Sequence, residues 1–429
     1  MPKIQNTDQL AVSPGRRSLL AIAEAGLQAI DTATVIREMV RRDGNSLHVG
    51  AEAIDLGSVR RLIFIAIGKC AADAAIAASG IIGDRITDGV VLDVKPCPPI
   101  PHMKIFCGMH PLPSAENLRA AEAIKTTLAE LGENDAVLFL VSGGGSTLLF
   151  LPEDRNDQSE IGIVKALINA GATIQEMNII RKHLSLARGG YLTQYAYPAR
   201  VVSLILSDVP ANDIAFIASG PTVKDATTIE DAERVIAKYD ILKTCNIEKC
   251  GLIETPKDEK YFERVTNILA VSNVRALEAM KKAAEMLGFS AEIRDTQLTG
   301  EADDVGIKIS KDINAAHPKT VLLWGGETTV TVHGKGSGGR NMQVGLSALR
   351  SINDGEEILS LASDGRDHGA FAGALCDTIT KKDIEKSGLD IEQCLRENNT
   401  YPFFEQVGNY VMTGDTGSNV SDLIIALKE

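Results

Sequence analysis

The chain has 429 residues, too many for one ordinary hydrophobic core, so two domains are expected. Hydrophobic residues make up 44% and charged residues 24%, the balance of a soluble globular enzyme. A net charge of −13 argues against the basic face that nucleic acid or an anionic membrane needs, and 4% aromatics leave few platforms for stacked bases.

Near the amino end, "RRSLLAIAEAGLQAI" repeats its apolar residues at helical spacing and is interrupted by Glu24, so it reads as an amphipathic helix and not a signal peptide. "RLIFIAIGK" is a buried strand that runs into the small-residue helix "CAADAAIAAS". This is the most apolar long window, but Lys69 and Asp73 interrupt it, which makes it a poor membrane span. "VVLDV" and "KIFCG" follow as strands. Cys97, His102, Cys107 and His110 lie close together here, but their spacing matches no common zinc finger, and a Pro-rich turn with a loop is the better reading. Seven cysteines without a C-x-x-C pair fit reduced thiols in a cytoplasm. A capped helix in "SAENLRAAEAIKTTLAEL", the strand "AVLFLV", two helical stretches between 157 and 188, and the strand "VVSLIL" complete a first α/β run. Short unbroken apolar strands alternating with helices predict a mainly parallel sheet covered on both faces.

The stretch 224–266 holds one helix and then polar sequence without strand alternation, and the domain junction is expected there, giving domains 1–262 and 263–429. The α/β pattern then resumes with "NILAVS", a helix from 273, and the strands "AEIRD", "TVLLWGG", "TTVTVHG", "EILSLAS", "YVMTG" and "DLIIAL". The expected fold is therefore α/β, in two domains, each a mainly parallel or mixed sheet flanked by helices, with the active site in the cleft between them.

Polar and glycine residues collect where these strands end: Gly68–Lys69, Ser142–Gly145, Ser207–Asp208, Gly325–Glu327 and Ser363–Asp364. Open α/β sheets bind ligands beyond the carboxyl ends of strands. After the strand at 136–141, Ser142, Gly143, Gly144, Gly145 and Ser146 suit a backbone nest for phosphate. A tight turn is the plainer reading, but it does not call for three glycines, and no Walker A lysine follows. "GKGSGGRN" formally matches G-x-G-x-x-G but lacks the Rossmann context. Its Arg340 can grip a carboxylate or phosphate bidentately, or can be a solvated surface residue. Lys69, in an apolar setting, can neutralise a transferring phosphoryl group. Asp208 and Asp364 can hold Mg²⁺, accept a hydroxyl proton, or merely cap a turn.

Taken together and in order, "GKCAA", "HPLP", "SGGGSTLL", "LSDVPANDIAFIASGPT", "GGETTV", "GKGSGGRN", "SDGRDHGAFAGALCD" and "TGDTGSNVSDL" resemble the glycerate kinases that end in a MOFRL domain. The resemblance spans nearly the whole chain. It implies ATP-dependent phosphorylation of D-glycerate, aided by Mg²⁺ or another divalent cation, with 2-phosphoglycerate and ADP as products. It carries Lys69 and Arg340 onto catalysis and substrate binding, Asn212 onto substrate binding, and Asp208 and Asp364 onto acidic catalytic or metal positions. The glycine loop 142–146 is carried onto ATP. Small-molecule substrates, a cytoplasmic location and a monomer or homodimer go with that reading. Cys70, Asp367–His368 and Asp415 depart from the usual pattern, and His368 adds a side chain near the expected cleft. The alternatives are a kinase forming 3-phosphoglycerate, a hydroxypyruvate reductase (a label relatives have carried), and a non-catalytic sensor of phosphorylated metabolites. No good dinucleotide fingerprint supports the reductase.

Overall fold

The computed structural model describes residues 2–153, 157–207 and 213–429. The chain divides into an amino unit, drawn from 35–207 and 213–270, and a carboxyl unit, drawn from 2–34 and 271–429.

The amino unit opens with a small antiparallel sheet of β1 (Val40–Asp43), β2 (Ser46–Val49) and β3 (Glu52–Asp55). Its main sheet contains β4 (Leu62–Ile67), β5 (Ile86–Asp93), β6 (Met103–Cys107), β7 (Ala136–Val141), β8 (Arg200–Leu206) and β9 (Val265–Val271), in the order β6-β5-β4-β7-β8-β9. The pairs from β6 through β8 are parallel. Every residue of β4 and of β7 is buried, as strands covered on both faces must be. The helix Ala71–Ile82 follows β4, and its alanine-rich face is buried. Asp93, at the end of β5, accepts the Ala72 N–H at 2.8 Å at the start of that helix. The helix Ala115–Leu128 starts in a capping box of Ser114 and Asn117. A second small core joins Ile163, Leu167, Met177, Ile180, Val235, Ile236 and Ile241 from four short helices.

The carboxyl unit holds β10 (Ser290–Leu298), β11 (Thr320–Gly326), β12 (Glu356–Ala362), β13 (Gly373–Cys376), β14 (Tyr410–Val411) and β15 (Asp422–Lys428), in the order β10-β11-β15-β12-β13-β14. Only β10–β11 is parallel, so this sheet is mixed. Trp324, Met342, Leu346, Ile358 and Phe404 lie in its core.

The division differs from the one expected at 262/263. β9 is the sequence "VTNILAV", which pattern alone gives to the second domain, yet it closes the edge of the amino sheet. The helix Pro14–Ala29 belongs to the carboxyl unit, anchored by Arg16. That guanidinium is buried and donates to both oxygens of Asp377 at 2.7 Å. "TTVTVHG" is not a strand: Glu301 accepts the N–H and hydroxyl of Thr331, and Asn398 accepts the N–H of His333 at 2.7 Å, so side chains replace a ladder.

Candidate active site

In the amino sheet the strand order reverses between β4 and β7, since β5 and β6 run out one way and β8 the other. Such a switch point leaves a crevice beyond the strand ends, and there the chain places Gly68–Lys69 and Ser142–Ser146. The two exits are stitched together. Lys69 N–H donates to Gly143 O at 2.9 Å, and Ser142 N–H to Ile67 O at 2.8 Å. The Ser142 hydroxyl is buried, donates to Ile67 O and accepts the Cys70 N–H, both at 3.3 Å. It therefore braces the crevice instead of facing it.

Gly144 has φ +82°, and a Cβ there would stand 3.0 Å from Lys69 Cγ, so the bare backbone lets the lysine stem lie along the loop. The following helix, Gly145–Leu148, is one turn long, so the backbone N–H groups matter more than its dipole. Ala218 and Ser219 adopt left-handed φ of 52° and 58°. Ala218 would meet a Cβ on Gly145 at 2.4 Å, and Ser219 Oγ donates to Ser146 Oγ at 2.9 Å. Strained non-glycine backbone of this kind survives where surrounding bonds enforce it, here Gly189 N–H to Ser219 O and Gly190 N–H to Gly220 O, both 2.9 Å.

Partial desolvation, with the charges of Lys69 and Arg181, pushes His110 down to about 4, so the imidazole is neutral near pH 7. Burial and the neighbouring Arg188 charge also lower the Arg181 guanidinium, against the pull of Glu160. Arg181 shares a helix with Asn178, whose amide donates to Ala215 O at 3.3 Å in the segment that leads to the strained turn.

In the carboxyl sheet, register brings another set of strand ends together. Asp422, the first residue of β15, lies opposite Gly326 on β11 and Ala362 on β12. Arg340 opens the helix Arg340–Ala348 and reaches this point. Its Nε and Nη2 donate to Asp422 at 2.6 and 3.0 Å, and its Nη1 pairs with Glu327 at 2.8 Å. Asn341 Nδ2 donates to Asp422 at 2.8 Å and to Asp367 at 3.1 Å, while the Ser360 hydroxyl donates to Asn341 Oδ1 at 2.6 Å. Asp367 caps the helix by accepting the N–H groups of Asn341 and Met342. Burial works against the Arg340 charge, but Asp422 and Glu327 outweigh it and hold the guanidinium above its ordinary range. Burial pushes Asp367 up to about 6, with Asp422 adding to the effect.

The expected site residues thus fall into two groups. Lys69 and Gly143–Ser146 share the switch point, with Ser142 behind them. Arg340 lies with Glu327 in the carboxyl unit, and Asp364 is near enough to Glu327 that its charge helps raise that carboxyl. Asp208 and Asn212 lie outside the described residues. The bidentate face of Arg340, expected for a ligand, is taken by Asp422. The glycines before it serve packing: a Cβ at Gly334 or Gly336 would come within 2.4 Å of Glu397 O. Sequence reading assigned no role to Arg181, Asn341, Asp367 or Asp422. Glu327 it marked only as a strand end. For Asp422 the available signal was an acidic residue opening an otherwise apolar strand.

Among the described residues no set of three or more His, Cys, Asp or Glu side chains is placed to hold a metal ion. Mg²⁺ needs less, because one or two carboxylates suffice when phosphate oxygens and water complete its shell. Half-buried Asp364, an oxygen donor at a strand end, fits that requirement.

Two family models cover most of the chain: a domain of unknown function (DUF4147) at residues 18–250 and the MOFRL family at 320–422. A glycerate 2-kinase of Pyrococcus horikoshii is 36% identical over 95% of this chain and 97% of its own length. The chain belongs to the MOFRL-type glycerate kinase family. A D-glycerate 2-kinase of Thermotoga maritima is 38% identical over 86% of this chain and 90% of its own length. The crystal structure of a glycerate kinase from Thermotoga maritima superposes with a TM-score of 0.85 at 33% identity, covering 96% of this chain and 99% of the other. The two-domain α/β architecture is thus that of the MOFRL-type glycerate kinases.

Proposed function

We propose that this protein is a kinase that transfers the γ-phosphoryl group of ATP to the 2-hydroxyl of D-glycerate, giving 2-phosphoglycerate and ADP. The observation that carries this reading is the cation at the switch point. Lys69 lies along a bare left-handed glycine, and its ammonium has no ion-pair or hydrogen-bond partner among the described residues. A lysine so placed beside the backbone N–H groups of a glycine loop suits a phosphate chain.

Each unit takes its own part of the reaction. In the amino unit, Gly143, Gly144, Gly145 and Ser146 hold the terminal phosphates of ATP, Lys69 offsets the charge on the transferring group, and Ser142 keeps the two strand exits together. In the carboxyl unit, Arg340 receives the carboxylate of D-glycerate through its Nη1 edge. Asp208 and Asp364 are the proposed acidic residues and Asn212 a further substrate contact. The 2-hydroxyl oxygen forms a bond to phosphorus as the bond to the β–γ bridging oxygen breaks, and the hydroxyl proton passes to a carboxylate. Asp364, with Asp208, would hold Mg²⁺, which when bound neutralises the β- and γ-phosphate oxygens. Positioning and charge neutralisation supply most of the catalysis in such a transfer. Dependence on ATP fits a cytoplasmic enzyme, as a monomer or homodimer.

A coupled assay of ADP release tests the reading. Release should require D-glycerate and a divalent cation, and glycerol should not replace D-glycerate. NADH consumption with hydroxypyruvate in place of that activity would favour the reductase instead.

A further inference from the structure

Arg340 carries two carboxylates that are held very differently. Asp422 is 2% exposed in its side chain and accepts from Arg340 at 2.6 and 3.0 Å, from Asn341 at 2.8 Å and from the Thr328 backbone N–H. Glu327 is 43% exposed in its side chain and meets the guanidinium through Nη1 at 2.8 Å. Its backbone is fixed, since its N–H donates to Leu298 O at 2.8 Å, so the side chain can leave without moving the strand end.

The guanidinium has five N–H groups, and Asp422 uses the Nε–Nη2 edge. A second carboxylate must therefore be received through Nη1, where Glu327 now sits. We infer that Glu327 is an internal competitor for the place on Arg340 that the substrate's carboxylate takes, and that it thereby sets the affinity for D-glycerate. This rests on the assignment of Arg340 to that carboxylate.

Charge and energy both favour the exchange. Glu327 faces Arg340 from the helix at 340–348, Asp422 from β15 and Asp364 from the end of β12. Partial burial and the two aspartates push its carboxyl up, against Arg340, so the bound anion is under repulsion. An ion pair this exposed is a weak one and yields to a ligand of the same chemistry. Asp422 is not displaceable in this way, because its removal would leave a buried guanidinium edge unpaired.

Calorimetric titration of D-glycerate, and separately of ADP, into the wild-type protein, Glu327→Gln and Glu327→Ala tests the inference. D-glycerate should bind both variants about two- to fivefold more tightly, the size expected for losing an exposed ion pair. ADP affinity and melting temperature should stay as in wild type, which a general loosening of the site would not allow. Unchanged or weaker D-glycerate binding by the folded variants overturns the inference and leaves the kinase reading standing. A wild-type protein that neither binds nor phosphorylates D-glycerate overturns both.

Discussion

At the residue scale the decisive object is the Arg340 guanidinium, and its orientation is set from behind. Asp422 holds one edge, Asn341 bridges Asp422 to Asp367, and Ser360 fixes the Asn341 amide. Removing the charge of Asp422 loses two charge-assisted bonds but keeps the shape. Asp422→Asn should therefore lower kcat/KM for D-glycerate at least tenfold, about 1.4 kcal/mol, while KM for ATP changes less than twofold. Steady-state kinetics with each substrate varied in turn check this. Equal losses for both substrates would mean that Asp422 supports the fold and not the arginine. Arg340 itself was legible in sequence because a cation after two glycines at a helix start is conspicuous. Its partner was not, because Asp422 lies 82 residues away and only antiparallel register brings it there.

At the scale of elements, the strand exits of the amino sheet were the most readable part. Fully apolar runs ending in glycine mark parallel strands, and ligand loops follow from the strand order. The glycine loop does two jobs, a left-handed turn at Gly144 and a close contact of Gly145 with Ala218. Gly144→Val puts a branched side chain at φ +82° and against the Lys69 stem. It should cost about 1–3 kcal/mol of stability and weaken ADP binding at least tenfold, measured by thermal melting and calorimetry. A folded variant with wild-type ADP affinity would reduce the loop to a turn. The glycines at 334 and 336 show why a glycine motif misleads. Glycine is needed both where phosphate approaches and where backbone approaches backbone, and only the fold shows that these two meet Glu397. The sheet β1–β3 went unread because its strands have four residues each and mixed polarity.

For the whole molecule, the two-domain α/β plan was legible, but the division of the chain was not. The carboxyl unit recruits the helix Pro14–Ala29 through the buried Arg16–Asp377 pair, 361 residues apart, and no local pattern announces such a contact. The same join carries a pH dependence. Glu357 on β12 is buried against the start of that helix, accepts from Ser13 Oγ at 3.2 Å, and has Oε2 unpartnered. Burial, with the charges of Asp377 and Glu429, pushes its carboxyl from the ordinary 4.5 up to about 7. The folded state therefore holds this proton more tightly than the unfolded chain. The stabilisation is fully present below about pH 4.5 and is lost as pH rises through about 7, up to about 3 kcal/mol in all. Glu357→Gln should raise the melting temperature at pH 8 relative to wild type and change it little at pH 5. A variant less stable at pH 8 would mean that the charged form is the one the fold needs.

The claim on which the rest depends is that D-glycerate receives phosphate at its 2-hydroxyl. Phosphorus NMR of a reaction containing the protein, ATP, Mg²⁺ and D-glycerate tests it most directly, because 2- and 3-phosphoglycerate give distinct resonances. The 2-phosphoglycerate signal should grow in step with ADP. A 3-phosphoglycerate signal in its place, or ATP left intact in the presence of D-glycerate, would contradict it.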